Sequence, residues 1–196
     1  MVTAPRVGVV ALQGGVREHV ELLTSLGASP VPLRRPDELV GPDGLRVDAV
    51  VLPGGESSTI DRLLKLFGLG EPLRDAIAAG LPTLGTCAGL IQLASRIEDP
   101  APGQESFGVL DVTVRRNAFG RQVDSAETCV DTAWGPAQVA FIRAPEVVAY
   151  GPSVTPLARL HERLVAVTQG AITGIAFHPE LTGETLFHRR LLESIR

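Results

Sequence analysis

The chain has 196 residues, 44% apolar and 20% charged, with a formal net charge of −4. That length and apolar content suit one domain with a sizeable core. The absence of a basic excess, with only 4% aromatic residues, excludes a charged or stacking platform for nucleic acid.

The first apolar run, Val7–Leu12, is too short and wrongly flanked for a signal segment. It reads as a strand buried on both faces and stopped by Gln13-Gly14-Gly15. Val16–Leu26 is expected to be a helix, with Val16, Val20 and Leu23 on one face and Gly27 at its C-terminal cap. Val31–Leu33 and Asp48–Leu52 read as strands, the second ended by Pro53-Gly54-Gly55. Ser57–Phe67 has a helical stripe of Ile60, Leu63, Leu64 and Phe67, and Pro72–Ala79 is a shorter helix. Pro82–Gly85 is a brief strand running into Thr86-Cys87-Ala88-Gly89, after which Leu90–Ser95 is helical. Pro100–Gly103 is a loop. Beyond it the pattern turns β-like, with strands at Val109–Val114, Val139–Ile142, Leu164–Thr168 and Ile172–Phe177. Glu184–Ile195 closes the chain as a helix, with Phe187, Leu191 and Ile195 at fourfold spacing. The alternation, with no internal repeat, predicts a single α/β domain over residues 1–196: a three-layer sandwich with a mostly parallel central sheet. No run approaches a membrane span, and Cys87 and Cys129 make no disulfide framework. A cytoplasmic protein without a membrane partner is expected.

Gly85-Thr86-Cys87-Ala88-Gly89 is a G-x-C-x-G sequence between strand and helix, the thiol counterpart of the G-x-S-x-G elbow. A sharp turn there needs small neighbours, the following helix N-terminus favours thiolate, and the Ala88 N–H is placed for an oxyanion. The alternative for Cys87 is a structural cysteine beside a Gly-rich turn. His178-Pro179-Glu180 follows an apolar run, so a base and its orienting carboxylate stand two residues apart. In isolation this motif reads first as a capping histidine beside a solvent-exposed glutamate; its occurrence downstream of the cysteine elbow is what favours a base and its orienter. Pro53-Gly54-Gly55-Glu56-Ser57-Ser58 sits at a strand's carboxyl end, where open α/β sheets bind ligands. Its glycine N–H groups can face an oxyanion, and Ser57 can also cap the next helix. Arg115, Arg116, Arg121 and Arg143 can be read as ordinary surface residues, while Arg116 and Arg143, beside apolar strand residues, also read as sheltered partners for a ligand carboxylate. His19 reads as a surface or interface residue. His161 and His188 lie in exposed-looking stretches, and Cys129 reads as a buried small side chain. No cluster has metal-ligand spacing, so neither metal nor cofactor is expected.

PGGES, GTCAG and HPE, in this order, resemble the signatures of class I glutamine amidotransferases. LQGGVREH at 12–19, PGGESST at 53–59, GTCAGLI at 85–91, RRNAFGRQVDS at 115–125, FIRAP at 141–145 and FHPELT at 177–182 resemble, more narrowly, the glutaminase subunits of pyridoxal 5′-phosphate synthases. The resemblance covers essentially the whole chain and implies a flavodoxin-like fold. It implies a catalytic triad of Cys87, His178 and Glu180, and an oxyanion hole of Gly55 and Ala88. The substrate L-glutamine would be held by Gly55, Glu56, Ser57, Arg116, Ile142 and Arg143. It also implies a synthase subunit as partner in a ring-shaped heteromeric complex, which takes up the ammonia. Weak activity alone is implied as well, with a peptide near Gly54-Gly55 turning over on docking to complete the oxyanion hole. An amidotransferase of another pathway, or a non-catalytic regulatory subunit, is the alternative reading.

Overall fold

The computed structural model describes residues 3–119 and 126–195. Gly120–Ser125, the second half of the RRNAFGRQVDS segment and with it Arg121, lie outside the described residues.

The first half of the chain builds the parallel part of the sheet. β1 (Arg6–Val10), α1 (Val16–Ser25) and β2 (Ser29–Leu33) form a β-α-β unit. A small excursion follows: α2 (Pro36–Leu39), β3 (Val40–Gly41) and β4 (Gly44–Leu45). β5 (Ala49–Leu52) then returns to the far side of β1. α3 (Ser57–Leu66) and α4 (Gly70–Ala78) lead to β6 (Thr83–Thr86) beside β5, and α5 (Ala88–Leu93) follows at once. β5 and β6 are buried along their whole length, as strands covered on both faces must be.

The second half is richer in strands: β7 (Ala94–Glu98), β8 (Leu110–Arg115), β9 (Ala126–Thr132), β10 (Gly135–Phe141), β11 (Glu146–Tyr150), β12 (Thr155–Leu160), β13 (Arg163–Gln169) and β14 (Ile172–Ile175). α6 (Leu186–Glu193) follows. The main sheet has the order β10-β9-β12-β13-β14-β6-β5-β1-β2, with β11, β8 and β7 branching from β13. Its core, β14-β6-β5-β1-β2, is wholly parallel, and β13, β12, β9 and β10 extend it in antiparallel pairs. The fold is thus α/β, as expected.

Crossovers are right-handed. β1 to β2 and β5 to β6 run in opposite directions across the sheet, so α1 lies on one face and α3 and α4 on the other. α5 packs against α3, and α6 shares the α1 face, where His19 of α1 meets His188 of α6. Phe141, Phe177 and Phe187 stack edge to face at 5.4 and 5.3 Å and tie β10, the segment after β14 and α6 into one core.

Several expectations change. The helix at Leu90–Ser95 spans Ala88–Leu93 instead, because Ala94 turns extended and Ser95 Oγ donates to the Val112 carbonyl at 2.9 Å, starting β7. β9, β11 and β12 were not anticipated. Cys129 is exposed rather than buried: β9 turns Val130 inward and its neighbour outward. His19 is fully buried, not at the surface, because His19 and Leu23, four residues apart, form the α1 face that meets the sheet. His188 is also fully buried, on a face of α6 broad enough to include Phe187, His188 and Leu191.

Candidate active site

The direction of the crossovers across the sheet switches between the parallel strands β1 and β5, and the crevice outside the carboxyl ends of strands at such a switch point is where open α/β sheets bind ligands. Four loops converge there: Ala11–Gly15 after β1, Pro53–Glu56 after β5, Cys87 after β6 and Ala176–Glu180 after β14. They enclose a cavity of about 460 Å³ whose walls include Gly55, Glu56, Ser57, Cys87, Arg116, Ile142, Arg143, His178 and Glu180. The structure thereby brings together every residue that the resemblance assigns to the triad, the oxyanion hole or glutamine binding, except Ala88, which adjoins Cys87 at the start of α5.

Cys87 has φ 49° and ψ −101°, left-handed backbone that a non-glycine residue adopts only when its surroundings impose it. Here its N–H is pinned to the Ile175 carbonyl at 2.8 Å, and its carbonyl accepts from Ile91 in α5 at 3.3 Å. The flanking glycines have a packing reason. A Cβ on Gly89 would run into the Leu52 carbonyl, and one on Gly85 into the Gly89 backbone at 2.8 Å. The elbow therefore packs against β5 only with glycine at both places. Helix N-termini leave N–H groups without intrahelical acceptors, and Ala88 is the first residue of α5, directly after Cys87.

His178 is buried and pinned to β10, its N–H donating to the Ala140 carbonyl at 2.8 Å. That pairing also carries the end of β10 across the crevice, so Ile142 and Arg143 arrive at the cavity wall, Arg143 with φ 43°. His178 Nδ1 lies 2.7 Å from Glu180 Oε1. Burial disfavours an imidazolium, yet the hydrogen bonds to Cys87 and Glu180 outweigh it and raise the His178 pKa to about 10. Burial likewise pushes Glu180 up, but the bond to His178 and the neighbouring His19 hold it below the usual carboxylate range. The favoured state is a buried imidazolium between a sulfur and a carboxylate.

Glu56 is the N-cap of α3. Its carboxylate accepts from the Ser58 and Thr59 N–H groups at 3.3 and 2.7 Å and from their hydroxyls at 2.6 and 2.8 Å. These bonds overcome partial burial and depress its pKa to about 2. Arg116 is anchored by Gln104 Oε1 at 2.8 Å and Glu56 Oε1 at 3.3 Å, which presents its guanidinium to the cavity. Arg115 instead pairs with Glu98 and Glu146 outside the site.

Sequence reasoning missed Gln13 and Gln104. Gln13 Oε1 accepts from the Glu56 N–H at 2.8 Å and braces the Gly54-Gly55 loop. Gln104 bridges the Ser57 hydroxyl, at 3.0 Å, to Arg116. Gln13, inside LQGGVREH, carried a signal; Gln104, in an irregular loop, carried none. Among the described residues, no group of three or more His, Cys, Asp or Glu side chains could hold a metal ion, and no helix is long and apolar enough to cross a membrane.

Residues 9–196 match the SNO glutamine amidotransferase family. A protein of Acidothermus cellulolyticus named pyridoxal 5′-phosphate synthase subunit PdxT is 55% identical over 192 residues, covering 94% of this chain and 90% of its own length. A protein of the same name from Corynebacterium diphtheriae is 52% identical over 189 residues, covering 96% and 99%. A crystal structure described as a glutamine amidotransferase superposes with a TM-score of 0.87 at 43% identity, covering 95% of this chain and 97% of that one.

Proposed function

The chain belongs to the SNO glutamine amidotransferase family, and on that premise we propose that it is the glutaminase subunit of a pyridoxal 5′-phosphate synthase. It hydrolyses L-glutamine to L-glutamate and ammonia and hands the ammonia to a synthase subunit. Relatives carrying that name match at 52 and 55% identity over nearly the whole chain. The observation that carries the chemical reading is the coincidence, in one cavity, of a cysteine on a left-handed elbow and a histidine held 2.7 Å from a buried glutamate.

In the proposed reaction the Cys87 thiolate attacks the side-chain amide carbon, and the carbonyl oxygen takes up negative charge. The Ala88 N–H and an N–H at Gly55 receive that oxyanion. Collapse of the tetrahedral intermediate expels the amide nitrogen, which takes its proton from the His178 imidazolium and leaves as ammonia. His178, now neutral, removes a proton from water as it attacks the γ-glutamyl thioester. The C–S bond breaks, glutamate departs, and the thiolate–imidazolium pair is restored. Glu180 orients the ring and stabilises its charge throughout. Arg116 and Arg143, with the Glu56-Ser57 backbone and Ile142, hold the α-carboxylate and α-amino groups, so the substrate is gripped at the end remote from the reacting bond.

The chain acts as one domain docked on the synthase in a ring-shaped complex. Docking is proposed to activate it. The Gly54 carbonyl accepts from the Gly15 N–H at 3.1 Å, and a turnover of the Gly54-Gly55 peptide would exchange that bond for an N–H aimed at the oxyanion. Glutamate release measured with and without purified synthase tests the assignment. Turnover should rise on adding the synthase, and Cys87→Ala should abolish it while leaving the complex intact. Near-wild-type hydrolysis by that variant rejects the nucleophile. Pyridoxal phosphate formation that does not need this chain when glutamine is the only nitrogen source rejects the pathway.

A further inference from the structure

Two histidines that the reaction above leaves unused lie against the triad. His19 and His188 are both fully buried. His19 Nδ1 and His188 Nε2 are 2.8 Å apart. On its other edge, His19 Nε2 lies 3.3 Å from Thr86 Oγ1 and 3.6 Å from Glu180 Oε1. That oxygen is the one bonded to His178, and the second oxygen of Glu180 has no hydrogen-bond partner among the described residues. A buried carboxylate is costly unless donors face it, and His19 supplies the nearest ring nitrogen besides His178.

The direction of the proton between the two rings follows from charge. Burial, only partly offset by Glu180, keeps His19 below the ordinary histidine range, and burial with His19 nearby takes His188 down to about 3. Both rings are therefore neutral, each with a single N–H. Were His19 to donate from Nδ1, its Nε2 lone pair would face the Glu180 carboxylate. His188 would then carry its N–H on Nδ1, which has no partner among the described residues. The opposite arrangement removes both conflicts. His188 Nε2–H donates to His19 Nδ1, His19 Nε2–H points at Thr86 and Glu180, and only a lone pair on His188 Nδ1 stays unmatched. A buried orphan acceptor is tolerated more readily than an orphan N–H.

We propose that His19 is a positioning residue for glutamine hydrolysis: its Nε2–H faces Glu180 and keeps that carboxylate ionised and aligned on His178, while His188 fixes the required tautomer of His19. The proposal rests on reading Cys87, His178 and Glu180 as the hydrolytic triad. The titratable groups facing the pair are His178 from the loop after β14, Glu18 beside His19 on α1 and His188 on α6, with Cys87 beyond His178. His19 itself does not line the cavity, so substrate affinity is not its task.

Three measurements on the full chain with its synthase test this. In wild type, ring nitrogen-15 NMR should find His19 protonated at Nε2 and bare at Nδ1; the reverse tautomer overturns the proposal without recourse to any variant. His19→Met removes the donor. Glu180 then holds its negative charge less firmly and His178 its proton less firmly, so kcat should fall about tenfold and the alkaline limb of kcat/KM should move down by about one pH unit, with KM within about twofold of wild type. His19→Gln, which can return an N–H near the Nε2 position, should move the limb back toward wild type. Limbs unmoved in His19→Met, or His19→Gln as impaired as His19→Met, overturn the proposal. If wild type with synthase releases no glutamate, the glutaminase reading fails, whereas activity in wild type with an unmoved limb in His19→Met defeats this inference alone.

Discussion

Gly54→Ala is the sharpest probe of how the nucleophile loop and the base fit together. Gly54 is not in the left-handed region, so alanine is allowed by its backbone and the chain should fold. The difficulty is space. A Cβ at Gly54 would overlap His178 Cε1, and would lie 3.0 Å from His178 Nδ1 and 3.2 Å from Cys87 Cβ. Carbon atoms settle at about 3.5 Å or more, so the ring must retreat by roughly 1 Å. That retreat stretches the 2.7 Å bond to Glu180 to about 3.7 Å, outside hydrogen-bond range. The loop could retreat instead, but it is tethered by the Gly15 N–H to Gly54 carbonyl bond at 3.1 Å and the Glu56 N–H to Gln13 bond at 2.8 Å. Giving those up costs about 1 kcal/mol each and moves Gly55 away from the oxyanion. Either route misplaces a reacting group by about 1 Å, which corresponds to about a hundredfold loss in kcat/KM, or about 2.7 kcal/mol of transition-state stabilisation. The assay is glutamate release with saturating synthase, alongside circular dichroism to establish folding. A folded variant within about threefold of wild type would show that the close approach of loop and imidazole is not what the reaction needs.

Further outcomes follow from the elbow and from the buried histidines. Cys87→Gly should be inactive like Cys87→Ala but more stable than it by about 1 kcal/mol in denaturant unfolding, because glycine adopts the left-handed conformation without penalty. Equal stability of the two would mean that the elbow is not strained. Stability should also fall on both sides of neutrality. His188, at about 3 when folded and 6.5 when unfolded, binds protons only in the unfolded chain as pH drops below 6.5. It therefore destabilises the fold by about 2 kcal/mol at pH 5, and His188→Gln should flatten that slope in urea titrations. His178 is raised, so its contribution is complete below pH 6.5 and is lost as pH climbs through about 10. A flat stability profile from pH 7 to 10 would contradict the buried imidazolium.

What the sequence disclosed and what it withheld divide along physical lines. The parallel half was legible because β1, β5 and β6 are buried on both faces and write continuous apolar runs, while glycines and prolines mark their carboxyl ends. Those same ends carry Gly54, Cys87 and, after β14, His178, so reading the strands placed the site. β9, β11 and β12 were not legible: each is an antiparallel strand with mixed burial and no continuous apolar run, and Pro156 interrupts the pattern of β12. Arg116 and Arg143 reach the cavity because β8 and β10, both legible as strands, deliver them there, but their local sequence also fits an ordinary surface segment, so only the resemblance assigned them to glutamine. The two histidines show the opposite failure. Periodicity assigns a polar residue to the outer face of an amphipathic helix, yet His19 and His188 lie inward and satisfy each other at 2.8 Å. Nothing in either helix alone signals this, because the partner is 169 positions away. Polar groups buried at a helix–helix contact are legible only once both helices are in place. For that reason the triad could be read from two short motifs, GTCAG and HPE, whereas the pair of rings against Glu180 required the fold.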